Sequence, residues 1–284
     1  MAVDYQKPAE TVELMLQAGA AKAKLGIPDL LVRGVLSGGI LGISTTLAIL
    51  ASVQTGVPLV GALVFPVGFV MIVLGGLELV TGNFALLPVG VLDGRARLGQ
   101  LASNFAWVFL GNLIGSVAYA ALLYYALPQS GPTAGVMEKL VAIAQAKTTG
   151  YQALGAKGMA AAFVKAMLCN WMVTLGVVMG LSSSSTFGKV AAAWLPIFIF
   201  FAHGFEHLVV NMFVIPAGMI FGAKVTLVQW LVWNMIPVTL GNFLAGFLFT
   251  GLPFYFTFRK KPAEKAVAAP RASSAPALLE VQNS

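Results

Sequence analysis

A single cysteine, two histidines and ten acidic residues in 284 positions leave little of the material from which soluble active sites are built. With only Cys169, no disulfide forms within the chain, and this thiol is read as a packing residue. Charged residues reach only 10% of the chain, against about 25% in a soluble domain, while hydrophobic residues reach 58%. That shortage of charge excludes a soluble globular fold and points to a membrane protein. A secretory leader is not expected either, because Asp4, Glu10 and Glu13 interrupt residues 1–30 and no continuous apolar stretch occurs there. The N-terminus is accordingly expected to stay cytoplasmic.

What is present is a series of apolar segments near 31–53, 60–88, 103–127, 160–182, 189–222 and 227–257. Each satisfies the roughly 20-residue template of a spanning helix, so the chain reads as an all-α membrane protein with six transmembrane helices. The second and fifth segments are too long for one span. Counting outward from a cytoplasmic N-terminus, twelve of the 17 basic residues fall inside, four outside, and Lys165 within a span. This satisfies the positive-inside rule with both termini cytoplasmic, so the net charge of +7 is a topology signal and nucleic acid is not an expected partner. Residues 1–30 form an N-terminal segment in which Val12, Met15, Gly19 and Ala23 share an apolar face beside Lys22 and Lys24. Such a helix lies on the membrane surface or packs on the bundle. A short helix is expected near Val136–Lys147, and residues 259–284, rich in Ala, Pro and Ser, read as a disordered cytoplasmic tail.

Glu78 and Glu206 are the acids inside long apolar runs, and each sits in the phrase Gly-x-Glu followed by four residues and an Asn. An ionisable group at membrane depth costs several kcal/mol unless it faces protein or water, so its duplication marks a functional centre shared by two related halves. The copies are 128 residues apart, and Gly111-Asn112 answers Gly241-Asn242 at an offset of 130. Repeats of about 31–127 and 160–257 then hold three spans each, and an odd number of crossings forces the second to insert upside down. Thr81-Gly82-Asn83 with Pro88 and Gly90, and Gly204 with Pro216 and Gly218, are expected to break the second and fifth helices. Backbone N–H groups at the half-helix ends are expected to hold Glu78 and Glu206 as loop anchors.

His207, present in the second copy only, is the sharpest candidate because histidine exchanges a proton near neutrality. His203 completes an HxxEH string, the pattern of a zinc peptidase, but a third protein ligand is missing: the only downstream acids are Glu264 and Glu280 in the tail. No metal or other cofactor is expected, no enzymatic activity either, and His203 is read as a packing or supporting residue. Thr81, Asn83, Asn170, Asn211, Asn234 and Asn242 fit interhelical hydrogen bonding, or orientation of a small anion near His207. Phe65, Phe69 and Phe200 lie close enough to the breaks to form dry constrictions.

Four motifs, Leu77-Glu78-Leu79-Val80-Thr81-Gly82-Asn83, Leu168-Cys169-Asn170-Trp171, Gly204-Phe205-Glu206-His207 with Asn211-Met212, and Ile236 through Asn242, resemble the formate/nitrite transporter family over residues 5–257. The resemblance implies an aquaporin-like protomer in a homopentamer, each protomer with its own pore for small monovalent anions, nitrite or formate, channel-like or proton-linked. It places the central histidine on His207, the loop threonine on Thr81, pore asparagines on Asn170 and Asn242, and constrictions on Phe65, Phe69, Leu79, Val80, Val173 and Phe200. The family's lysine before the pore asparagine falls on Leu154, which leaves Lys147 or Lys157 as the basic vestibule residue. A bacterial inner membrane is the expected location, a chloroplast envelope the alternative. An aquaporin-like channel for neutral solutes is the second reading, disfavoured because no Asn-Pro-Ala occurs, and an intramembrane zinc hydrolase is a remote third.

Overall fold

The computed structural model describes residues 4–127 and 134–259, so the expected tail past Arg259 lies outside the described residues. Helix α1 (Pro8–Ala23) precedes α2 (Ile27–Thr55), a divided second span made of α3 (Pro58–Val64), α4 (Pro66–Leu74) and α5 (Val80–Leu92), and α6 (Leu98–Ala126). The order then recurs as α7 (Ala134–Ala146), a short α8 (Thr149–Ala153), α9 (Ala156–Leu181), a divided span of α10 (Thr186–Ala202) and α11 (Leu208–Ile220), and a last span, Leu227–Phe258. Helices α2, α6, α9 and the last span are long and apolar enough to cross a membrane singly. The divided spans cross as pairs, giving an all-α membrane protein of six spans in two inverted three-helix halves. Among the described residues, the one pairing of extended backbone is an isolated bridge between Tyr5 and Ser183.

The inversion is visible in what each face collects. Asp4 binds the Ser183–Ser185 turn, Glu13 pairs with Arg95, and Arg259 pairs with Asp93, so the chain start, two connections and the end of the last span share an N-terminal face. On the opposite face Gln152 meets Gln229, and Lys147 at the end of α7 pairs with Glu206 as Lys22 of α1 pairs with Glu78. Helices α1 and α7 are thus counterparts on opposite faces. Of the two uses expected for α1, packing is the observed one: Val12, Met15 and Leu16 are buried against Leu86 and Val89 of α5. Gly19 brings the helices so close that a Cβ there would lie 2.5 Å from the Leu86 carbonyl oxygen. Gly218 of α11 does the same for α7, with the Leu140 carbonyl oxygen 2.7 Å from its would-be Cβ. Small residues at such crossings let backbones approach where no hydrophobic force drives helices together.

Both divided spans break in the same way, the fifth at the expected Gly204 and the second ahead of the expected Thr81-Gly82-Asn83. Thr81, Gly82 and Asn83 lie within the first turns of α5, and Pro88 and Pro216 sit inside α5 and α11. The chain turns earlier, at Gly76 (φ 64°) and Gly204 (φ 63°). At the first break Gly76 N–H bonds to the Val73 carbonyl and Leu77 N–H to that of Ile72; at the second, Gly204 bonds to Phe201 and Phe205 to Phe200. This paired closure of a helix end requires a left-handed residue, which glycine adopts without a Cβ penalty. Two residues outside regular structure and an extended N-cap, Leu79 or His207, follow before the next helix starts. The last span carries π-turns at Leu231–Met235 and Gly246–Gly251, which no residue pattern announced.

Candidate permeation site

Each break leaves a half-helix N-terminus whose first N–H groups need acceptors at a depth where water is scarce. Asn112 and Asn242 supply them. Asn112 Oδ1 accepts from Val80 N–H at 3.0 Å while its amide donates to the carbonyls of Glu78 and Gly34, both 2.9 Å. Asn242 Oδ1 accepts from Leu208 N–H at 2.9 Å and its amide donates to Glu206 and Ala166 carbonyls at 3.0 and 2.8 Å. The side chain of Asn242 is therefore engaged with backbone at every described contact, an arrangement that clamps the junction. Asn112, which the sequence reading used only as a repeat marker, is its twin.

The glutamates are held differently from expectation. The described partners of their side chains are other side chains. Glu78, 2% exposed, accepts from Lys22 Nζ at 2.7 Å and Asn83 at 2.8 Å, and Asn83 also donates to Asn104. Glu206, 1% exposed, pairs with Lys147 Nζ at 2.9 Å and accepts from Asn211, Asn234 and the Tyr151 hydroxyl at 2.7, 3.2 and 2.7 Å. Burying a carboxylate is tolerable when it is both paired and hydrogen-bonded. A carboxylate offers about four acceptor positions, so Glu206 is saturated and Glu78 is not. Lys22, Asn104 and Tyr151 escaped the sequence reading as partners. The signal for Lys22 was there, since it stands 125 residues before Lys147, close to the repeat offset.

The two junctions differ at their N-caps, Leu79 for α5 and His207 for α11. His207, 2% exposed, accepts from Val210 N–H through Nδ1 at 3.1 Å, and its Nε2 stands 3.1 Å from Thr81 Oγ1. A backbone N–H can only donate, so Nδ1 is unprotonated and the neutral ring carries its proton on Nε2, directed at Thr81. Protonating Nδ1 would cost the helix cap. Asn170 donates to the carbonyls of Thr81 and Asn242 at 3.1 and 2.7 Å, leaving its Oδ1 buried with no hydrogen-bond partner among the described residues. Phe200 stacks on the His207 ring at 5.5 Å.

Cavities reach these junctions from both faces. One of about 410 Å³, on the N-terminal side, is lined by Lys22, Phe69, Glu78, Leu79 and Asn83 among others. The other, about 660 Å³, is lined by Lys139, Lys147, Phe200, His203 and His207. Phe65, Val80 and Val173, the remaining constriction candidates, line neither and lie in one buried apolar cluster with Phe69, Leu79 and Phe200. Phe65 stacks on Phe201 at 3.9 Å and meets Phe200 edge-on at 5.6 Å. Of the two vestibule lysines expected, Lys147 lines its cavity, whereas Lys157 is exposed early in α9 and lies outside the lining. Lys139, not singled out beforehand, lines it instead. His203 caps the end of α10, bonds the Ile199 carbonyl and stacks on Phe205. The HxxEH string is thus divided between two helices by the Gly204 turn, and its histidines do not share a helix face.

The family described as formate/nitrite transporter matches residues 9–256. The uncharacterized transporter YrhG of Bacillus subtilis is 36% identical over 267 residues, covering 90% of this chain and 95% of that protein. A probable formate transporter of Methanothermobacter thermautotrophicus is 36% identical over 284 residues, covering 92% of this chain and 100% of that protein. Among solved structures, a pentameric formate channel with formate bound is similar with a TM-score of 0.69 and 25% identity, covering 81% of this chain and 96% of that chain. These relatives are transporters and channels, not enzymes.

Proposed function

The chain belongs to the formate/nitrite transporter family, and from that membership we propose that it passes small monovalent anions, formate and nitrite, through a pore in each protomer of a homopentamer. The similarity to the pentameric formate channel and to the probable formate transporter supports the substrate class and the assembly. The single observation carrying the reading is the approach of two cavities, one from each face, to paired helix breaks where His207 and Thr81 are joined. A plasma membrane location with the N-terminal face cytoplasmic agrees with the basic residues gathered there.

In this reading an anion enters a basic vestibule and reaches an apolar section where shedding its water is prohibitive for a charge. It takes a proton from vestibule water and crosses as the neutral acid. His207 Nε2–H donates to an oxygen of the permeant, replacing its bond to Thr81, and the unpartnered Asn170 Oδ1 accepts the acid's O–H. Leu79, Val80, Val173, Phe65, Phe69 and Phe200 keep that section dry. The proton travels with the permeant, which makes transport proton-linked without charging the histidine. Competition flux into proteoliposomes across nitrite, formate, hydrosulfide and acetate at two pH values tests this. Faster uptake at the lower pH, with formate or nitrite competing best, is expected; pH-independent flux, or passage of glycerol in place of anions, would overturn it.

A further inference from the structure

Lining a cavity does not make a lysine available to an anion, because a carboxylate beside it cancels most of its field. Lys22 and Lys147 are in that position, 2.7 and 2.9 Å from Glu78 and Glu206. Arg33, also in the N-terminal-side lining, faces Asp29 at 3.8 Å. Two lysines of the linings have no carboxylate within ion-pair distance among the described residues: Lys189 on one side and Lys139 on the other.

Lys189 stands where two spaces meet. It lines the 410 Å³ cavity leading to Leu79 and also an outer basin of about 780 Å³ on the N-terminal face. The basin's own carboxylates are occupied, Glu13 by Arg95 and Glu10 by the Lys7 N–H. Lys189 lies near the start of α10, where the helix dipole disfavours a cation, so helix stability does not explain it, and the same dipole adds to its attraction for anions. Lys139 projects from α7 into the 660 Å³ cavity that leads to His207. The two occupy unrelated positions in the repeat, unlike Lys22 and Lys147.

Building on the anion-transport reading, we propose that Lys189 and Lys139 are the anion-capture residues of the two mouths, while Lys22 and Lys147 serve the glutamate networks. A free ammonium in a low-dielectric cavity raises the local anion concentration, and salt screens that effect over about 10 Å at 0.1 M. Capture then sets the concentration dependence of entry and leaves the crossing itself untouched.

The experiment is formate uptake into proteoliposomes by the Lys139→Gln/Lys189→Gln double variant, at low and at high ionic strength. The half-saturating formate concentration is expected to rise roughly three- to tenfold at low ionic strength, with maximal flux unchanged and the difference gone at high salt. Lys139→Arg/Lys189→Arg should keep wild-type behaviour. With protein inserted in one orientation, each single variant should slow entry from its own face. A wild type that conducts while the double variant matches it at low salt sinks this inference alone, as does a loss equal at both salt levels, which would mark structural damage. A wild type that moves no formate takes down the transport reading and this inference together.

Discussion

The carboxamides that look alike in the sequence do different work once their partners are known. Asn112 and Asn242 each hold one backbone N–H and two carbonyls across a helix break. Replacing either by Ala leaves those groups unpaired in a dry interior, at a cost of about 1–3 kcal/mol for each orphaned group. Thermal unfolding in detergent should show a clearly lower midpoint for Asn112→Ala and Asn242→Ala; unchanged midpoints would mean that the clamps bear no structural load. Asn170→Ala, which removes only two backbone-directed bonds and the unpartnered oxygen, should reduce flux more than it reduces stability. The sequence identified this polar set because asparagine is rare inside apolar runs. It did not separate clamp from pore residue, since that distinction depends on which side-chain atom meets a backbone across 34 residues of chain, as between Leu208 and Asn242.

Among the helices, the duplicated break was legible and its location only in part: Gly204 was an expected break residue, Gly76 was not. Glycine and proline inside an apolar run announce a break, yet Pro88 and Pro216 are carried within buried helices, and the turn belongs to Gly76 and Gly204. Only the conformation tells them apart, because positive φ is decided by the closure of the preceding helix. Nothing lies within 4 Å of a Cβ built on either glycine, so Gly76→Ala and Gly204→Ala should cost the conformational penalty alone, about 1–2 kcal/mol each. Similar falls in unfolding midpoint are expected for both; a harmless substitution at one would break the equivalence of the two junctions.

The N-terminal segment is fastened by carboxylates. Asp4 accepts hydrogen bonds from the side chain of Ser183 and the backbones of Ser184 and Ser185, and its pKa falls to about 2, chiefly through the Ser185 N–H. The Arg95 guanidinium hydrogen-bonded to Glu13 lowers that pKa to about 2 as well. Both folded values lie below the unfolded ones near 4, so the fastening is fully present above pH ~4.5 and is lost as pH falls through about 2. Amide exchange at Ser184 and Ser185 should stay slow down to pH 4, after correction for intrinsic rates, and accelerate below it. Protection that persists at pH 2, or one lost near neutrality, would contradict the assignment.

Across the whole molecule, two halves built alike are used unequally. The repeat, the six spans and the family resemblance were readable because membrane burial writes its pattern in composition and because the Gly-x-Glu phrase recurs. The difference between His207 and Leu79 was readable too; less so was the asymmetry of the anchors, Glu206 with its lysine, tyrosine and two asparagines against Glu78 with one lysine and one asparagine. The central claim is that His207 acts as a neutral hydrogen-bond donor, its Nδ1 committed to the helix cap. Its most direct test is formate uptake into proteoliposomes at two pH values by His207→Asn and His207→Ala beside wild type. Asparagine caps a helix and donates a hydrogen bond but cannot titrate, so His207→Asn should retain flux and its rise at lower pH, while His207→Ala should lose on the order of 10- to 100-fold. Flux lost in both variants, or retained in both, would contradict the account.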